Sequence, residues 1–215
     1  MTPRNRNIMI GFVLLMLLLT ISYVLLDRPL SLFCQNLNPD VMKVFGWITE
    51  LGISTGYLIG FAVLFVYFKF LRRRPLAANR ALFFFTAVAL SGIIINLIKP
   101  VVGRLRPKML FQADLYGFEP FRIGYEYNSF PSGHATTVFA LAAALALVYP
   151  RWRLPLFGFA AVVGVSRIVI GSHYLSDVLA GAYMGIMTVF MLALLCRRRG
   201  WMDFPGDPDR RGGPV

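Results

Sequence analysis

Residues 81–98 read ALFFFTAVALSGIIINLI. The run carries no charged side chain and is close to the ~20 residues a helix needs to cross a hydrocarbon core. Arg80 stands immediately before it and Lys99 immediately after. Five further apolar runs of similar length occur: Ile8–Leu26, Ile53–Leu71, Ser132–Tyr149, Pro155–Gly171 and Ser176–Cys196. The first exceeds the ~7–15 apolar residues of a signal peptide, and no small-x-small cleavage site follows, so it reads as a retained helix. Composition agrees: of 215 residues, 57% are hydrophobic and 15% charged, against about 25% charged in soluble domains. The expected fold class is all-α, a six-transmembrane-helix bundle forming one integral-membrane domain over residues 1-199. Residues 200–215, rich in proline, glycine and charge, are expected to be a disordered cytoplasmic tail.

The net charge of +12 would suggest nucleic acid on a soluble protein. Here most cations flank apolar runs. Arg4, Arg6, Lys69, Arg72, Arg73, Arg74, Arg80, Arg151, Arg153, Arg197, Arg198 and Arg199 all fall on one side of a six-helix chain. The positive-inside rule makes that side cytoplasmic, with both termini on it, and no nucleic-acid partner is expected. Cys34 and Cys196 fall on opposite faces of this topology, beyond reach of a disulfide, and no metal-ligand spacing occurs.

Some cations break the rule. Arg28, Lys43, Lys99, Arg104, Arg106, Lys108 and Arg122 lie in the outer segments 26–52 and 99–131, and Arg167 lies near the outer end of the fifth run. The two histidines, His134 and His173, reach the same outer face. A cation at membrane depth is costly unless compensated, and Lys99, Arg106 and Arg167 converging at one level call for a bound polyanion such as phosphate. The stretch PSGH, residues 131–134, opens the fourth run. Its bare helical N–H groups and helix dipole form an anion site, Gly133 permits close approach, and Ser132 can cap the helix or donate to the anion. In SRIVIGSHYLSD, residues 166–177, Asp177 follows His173 by four residues, one helix face apart. A carboxylate on one imidazole nitrogen fixes the tautomer and leaves the other as a nucleophile. His173 would then attack phosphorus, with His134 as general acid and later general base.

Taken singly, each feature has a plainer reading. Interfacial histidines are often structural, Asp177 can cap the sixth helix, and Arg104 and Lys108 read as solvated or facing lipid headgroups.

Lys99–Pro107 (KPVVGRLRP), Pro131–His134 (PSGH) and Ser166–Asp177 together resemble the signature of the type 2 phosphatidic acid phosphatase family, matched without substitution. The resemblance is strongest over residues 81-196. It implies a membrane lipid phosphatase that needs no metal or other cofactor. It also implies His173 as nucleophile, Asp177 as its orienter, His134 as acid and base, and phosphate held by Lys99, Arg106, Arg167, Ser132 and Gly133. Soluble vanadium-dependent haloperoxidases share the superfamily, but six apolar runs argue against that branch.

A site at the outer interface suits a phospholipid or isoprenoid lipid phosphate whose chains stay in the bilayer. Short loops suggest a bacterial inner-membrane protein with its active site facing the periplasm. The expected substrates are undecaprenyl pyrophosphate, phosphatidylglycerol phosphate, phosphatidic acid or lipid A 1-phosphate, with an isoprenoid diphosphate or other envelope lipid phosphate favoured. Two alternatives stand beside hydrolysis: a lipid-to-lipid phosphotransferase using the same phosphohistidine, and a non-catalytic anion or lipid transporter. Tyr116, Phe118, Phe121, Tyr125, Tyr127 and Phe130 give the outer loop an aromatic character that suits either interfacial anchoring or a lipid entrance.

Overall fold

The computed structural model describes residues 3–202, 204 and 205. Among these residues every regular element is a helix, joined by loops such as 114–124 and 128–132, with one isolated antiparallel bridge between Arg104 and Phe118. Helix α1 (Pro3–Ile21) runs through a π-helical turn, Ser22–Leu26, into α2 (Asp27–Gln35). Helix α3 (Pro39–Glu50) is amphipathic, and α4 (Ser54–Val66) ends in a second π-helical turn at Tyr67–Leu71. Then follow α5 (Pro75–Val102), α6 (Pro107–Ala113), α7 (Gly133–Val148), α8 (Arg153–Val169) and α9 (Leu175–Arg198).

Among the described residues, five helical stretches are long and apolar enough to cross a membrane: Met9–Gln35, Pro39–Leu71, Pro75–Val102, Pro150–Val169 and Leu175–Arg198. The sixth apolar helix, Gly133–Val148, is shorter. Their outer surfaces are themselves apolar: Val24, Leu71 and Leu97 are 65–68% exposed. An exposed apolar belt of this extent is what a lipid solvent requires.

The core forms where α5, α7, α8 and α9 pack with small residues between them. Ala135, Ala140, Ala142, Ala143 and Ala144 of α7 are buried. On α9, a Cβ built on Gly181 would lie 2.6 Å from the Ser132 carbonyl oxygen, and one on Gly185 would lie 2.5 Å from that of Thr136. The Gly-x-x-x-Gly spacing therefore brings the α9 backbone directly against α7. The Ser132 N–H donates to the Asp177 carbonyl at 3.0 Å, tying the N-termini of the two helices together.

Two sequence expectations change. The segment 26–52, read as an outer loop, is mostly helix, because the π-turn shifts the hydrogen-bond register just ahead of Pro29 and lets α1 continue into α2. Met202 and Phe204, assigned to a disordered tail, are buried, with the Phe204 ring 5.1 Å from that of Phe83. The packed region thus runs past residue 199, while residues 203 and 206–215 of that tail lie outside the described residues. Cys34 and Cys196 are both free and buried.

Candidate active site

The alternating direction of α5, α7, α8 and α9 brings the C-termini of α5 and α8 to the same end as the N-termini of α7 and α9. That end gathers the residues singled out from the sequence. Lys99 comes from α5, Arg106 from the link to α6, Ser132, Gly133 and His134 from the start of α7, Arg167 from α8, His173 from the following turn and Asp177 from α9.

Gly103 closes α5 in the left-handed region at φ +60°, its N–H donating to the Lys99 carbonyl at 2.9 Å. This turn sends the chain back over the site. The Lys99 ammonium donates to the Asn128 carbonyl at 3.4 Å, and Arg106 donates to that same carbonyl at 3.2 Å. Arg106 also donates to the carbonyls of Tyr125 and Ser172, at 2.9 and 3.2 Å, and lies over the Tyr125 ring at 3.9 Å. Burial lowers its pKa from the ordinary guanidinium value. Arg167 donates through Nη1 to Thr49 Oγ1 at 2.5 Å, and its buried Nε has no hydrogen-bond partner. Among the described residues, none of these three cations has a carboxylate within ion-pair distance. Three buried or half-buried cations with only neutral acceptors are suited to hold an anion.

Ser132 supplies a further donor. Its Oγ is buried without a partner at the N-terminus of α7. A Cβ built on Gly133 would sit 3.8 Å from Lys99 Nζ, so the open helix end faces the same cation. His134 lies within electrostatic reach of Arg167, Lys99 and Arg106. Its ring packs against the turn between α3 and α4: a Cβ on Gly52 would stand 2.6 Å from its Cδ2.

His173 is 2% exposed. Its Nδ1 lies 2.7 Å from the Ser129 carbonyl oxygen. A carbonyl only accepts, so Nδ1 carries the hydrogen and Nε2 the lone pair. Burial, with Arg106 and Arg167 nearby, pushes the imidazole pKa down to about 3 against the upward pull of Asp177. The ring is therefore neutral at neutral pH. The expected hydrogen bond from Nδ1 to Asp177 is replaced by this one, since Asp177 Oδ2 stands 3.6 Å from Nδ1. Asp177 instead accepts from Arg104 Nη1 at 2.5 Å, Ser129 Oγ at 2.6 Å and the Tyr174 N–H at 2.9 Å. It caps α9 and faces His173 as a charge.

Arg104 is the main correction. Read from sequence as solvated or headgroup-facing, it is 1% exposed and bridges Asp177 to Asp27, whose Oδ2 is 2.6 Å from Nη2. Tyr23, Tyr116, Phe118 and Tyr174 surround its guanidinium, with ring centroids 4.5–5.8 Å away. Burial alone would lower its pKa, but Asp177 and Asp27 more than reverse that and hold it above the ordinary value. Arg122, by contrast, is exposed and pairs with Glu119 at 3.2 Å. Lys108 is exposed and lines a cleft of about 380 Å³ beside Arg106, Gln35 and Tyr125. A second cleft, about 260 Å³, opens beside Lys99, Asn96 and Ile123. A larger apolar groove of about 410 Å³ lies at the far ends of α5 and α9, around Asn79, Phe83 and Cys196, away from this chemistry.

Asp27, Thr49, Gly52 and Ser129 had not been singled out. Asp27 had one visible signal, an acid at the end of an apolar run. The Ser129 contribution is a backbone carbonyl and carries none.

The PAP2 superfamily matches residues 80–201, and the chain belongs to that family. It is 31% identical over 191 residues to a lipid A 1-phosphatase of Rhizobium etli, covering 84% of this chain and 81% of the relative. It is 34% identical over 123 residues to an undecaprenyl-diphosphatase of Sulfolobus acidocaldarius, covering 57% of this chain and 56% of the relative. Among solved structures, Aquifex aeolicus LpxE aligns at a TM-score of 0.60 and 23% identity, over 81% of this chain and 98% of that one. A PAP2-type phosphatidylglycerolphosphate phosphatase from Bacillus subtilis aligns at 0.62 and 22% identity, over 86% and 96%. At these identities the two structures share the fold.

Proposed function

We propose that this membrane-embedded lipid phosphatase removes a phosphoryl group from an envelope lipid, as a monoester or a diphosphate anhydride, through a phosphohistidine at Nε2 of His173. The observation that carries the reading is the tautomer. The hydrogen bond between His173 Nδ1 and the Ser129 carbonyl leaves an Nε2 lone pair on a neutral imidazole. Lys99, Arg106 and Arg167, none with a carboxylate partner among the described residues, gather at the same end of the bundle. Nε2 attacks phosphorus, the bond from phosphorus to the lipid oxygen breaks, and His134 protonates that oxygen. His134 then takes a proton from water, which attacks the phosphohistidine and releases phosphate. The three cations, Ser132 Oγ and the N–H groups at Gly133 stabilise the equatorial oxygens. No step calls on a metal.

The bundle is taken to cross the membrane six times, Gly133–Val148 being the short crossing, with both termini cytoplasmic. The Lys and Arg clusters at the ends away from the site support that orientation, and with it a site facing the periplasm of a bacterial inner membrane. The Rhizobium relative moves lipid A 1-phosphate ahead of the isoprenoid diphosphate favoured from sequence.

The test is phosphate release by the purified full chain from lipid A 1-phosphate, undecaprenyl diphosphate, phosphatidylglycerol phosphate and phosphatidic acid, with His173→Ala as blank. Release without an added acceptor lipid, inhibition by vanadate and indifference to EDTA are expected. Release only when a second lipid is supplied would make the enzyme a phosphotransferase. Undiminished turnover by His173→Ala would reject the mechanism.

A further inference from the structure

We propose that Asp27 and Arg104 are positioning residues for the reaction at His173, holding one net negative charge against its imidazole through a buried Asp27–Arg104–Asp177 chain. The proposal rests on the reading of His173 as nucleophile. Asp27 lies outside residues 80–201, the part of the chain that the family signature covers.

Both carboxylates are held by several hydrogen bonds. Asp27 accepts from Ser22 Oγ at 3.1 Å, the Ser176 N–H at 3.0 Å, Ser176 Oγ at 2.5 Å and Arg104 Nη2 at 2.6 Å. Asp177 accepts from Arg104, Ser129 and Tyr174. Each carboxylate thus accepts from one arm of the Arg104 guanidinium and from a backbone N–H, groups that only donate, and this is the geometry of a carboxylate–guanidinium–carboxylate chain. All three members are at most 1% exposed. Two carboxylates on one guanidinium leave a surplus of one negative charge in a dry site.

An arginine facing Asp177 alone would form a neutral pair beside the imidazole. Asp27 takes the other arm of the guanidinium fork, so Asp177 stays anchored while its charge remains in surplus. Arg104 reaches His173 by a second route as well. Its backbone carbonyl accepts from the Ser129 N–H at 3.0 Å, and the Ser129 carbonyl in turn accepts from His173 Nδ1.

The surplus charge matters at one moment. While the imidazole is neutral it has little to act on. When Nε2 bonds phosphorus and the lipid oxygen leaves with the proton from His134, Nδ1 keeps its hydrogen and the ring becomes cationic. The charged groups facing that ring are Arg106 ahead of α6, Arg167 on α8 and Asp177 on α9, with Lys99 on α5 across the phosphate site. Three of the four oppose a cationic ring, and the carboxylate surplus offsets them. Asp27 and Arg104 therefore favour the transition state over the bound substrate.

Asp27→Asn keeps the shape and removes the surplus. Measured with phosphatidic acid in mixed micelles, it is expected to lower kcat by about tenfold or more, the scale of one unit charge at an effective dielectric near 20, with KM changed less than about threefold. Vanadate bonds covalently to the nucleophile and mimics the transition state, so its Ki rises in step, while the Ki of inorganic phosphate stays put. Asp27→Glu, which restores the charge, recovers most of the lost kcat. Should Asp27→Asn not fold, Asp27→Ser takes its place with the same expectation. Unchanged kcat, or parallel losses in kcat, phosphate affinity and melting temperature, would reduce the chain to a structural staple and overturn the proposal. Inactivity of the wild-type enzyme on every lipid would instead overturn the parent reading.

Discussion

His173 Nδ1 lies 2.7 Å from the Ser129 carbonyl oxygen and 3.6 Å from the nearer carboxylate oxygen of Asp177. The tautomer is thus fixed by a backbone atom, and the carboxylate supplies charge rather than the orienting hydrogen bond. Asp177→Asn should therefore leave Nε2 unprotonated and cost about 10- to 100-fold in kcat. Loss of the proposed nucleophile in His173→Gln should cost at least ~10³-fold, as removal of a catalytic-triad member does. Phosphate-release kinetics on the two variants check this. Equal losses would mean that Asp177 controls the tautomer after all.

Gly52 touches the ring of His134, and a Cβ there would sit 2.6 Å from Cδ2. The turn joining α3 and α4 thus sets the place of the proposed acid. Gly52→Ala must push the imidazole aside, and a displacement of about 1 Å can cost on the order of 10²-fold in rate. Lower kcat with a folded protein and near-normal vanadate affinity is expected, because vanadate binding relies chiefly on His173 and the cations. An active Gly52→Ala enzyme would remove His134 from the proton-transfer role.

The helix ends were legible in the sequence because charge at membrane depth is costly: Lys99, Arg106, Arg167 and the two histidines stood out against apolar runs. Arg104 broke the charge rule as well but read as solvated or headgroup-facing, because its partner could not be placed beside it. Asp27 lies 77 residues away, in a segment whose Asp-Arg-Pro sequence looks like a helix stop. The π-helical turn that lets α1 pass this point has no sequence pattern of its own. Thr49 and Gly52 were missed for a related reason, since α3 is too polar to read as a span and too short to announce its packing face. The length of α7 was slightly overread, because Ser132 serves as its N-cap and Tyr149 as its C-cap.

Burial of a neutral imidazole links stability to pH. The His173 pKa falls from 6.5 to about 3 in the folded protein, so below pH 6.5 the unfolded chain binds a proton that the folded one refuses. Its contribution to stability is full above pH 6.5 and is lost as the pH falls toward 3. The melting temperature in detergent should drop over that window, and less steeply for His173→Gln, which has nothing to protonate. Identical slopes for the two proteins would mean that the ring is solvated or already charged.

Helix α9 approaches α7 along Gly181 and Gly185, and the same approach joins the Ser132 N–H to the Asp177 carbonyl. Packing and the proposed chemistry are coupled there, because separating the helices would pull the proposed phosphate-binding N-terminus of α7 away from the turn that carries His173. A Cβ at Gly185 meets the Thr136 carbonyl oxygen at 2.5 Å, a backbone atom that cannot rotate away. Gly185→Val should cost about 1–3 kcal/mol in stability by overpacking. It should also lower kcat although residue 185 lies more than two helical turns from His173 on the chain. Gly158, where an added Cβ would meet nothing within 4 Å outside its own helix, is the control. Gly158→Ala should leave both quantities unchanged or raise stability slightly through helix propensity. Melting curves and phosphate release on the two variants separate the outcomes, and full activity in a destabilised Gly185→Val protein would show that the α7–α9 contact holds the bundle without setting the site.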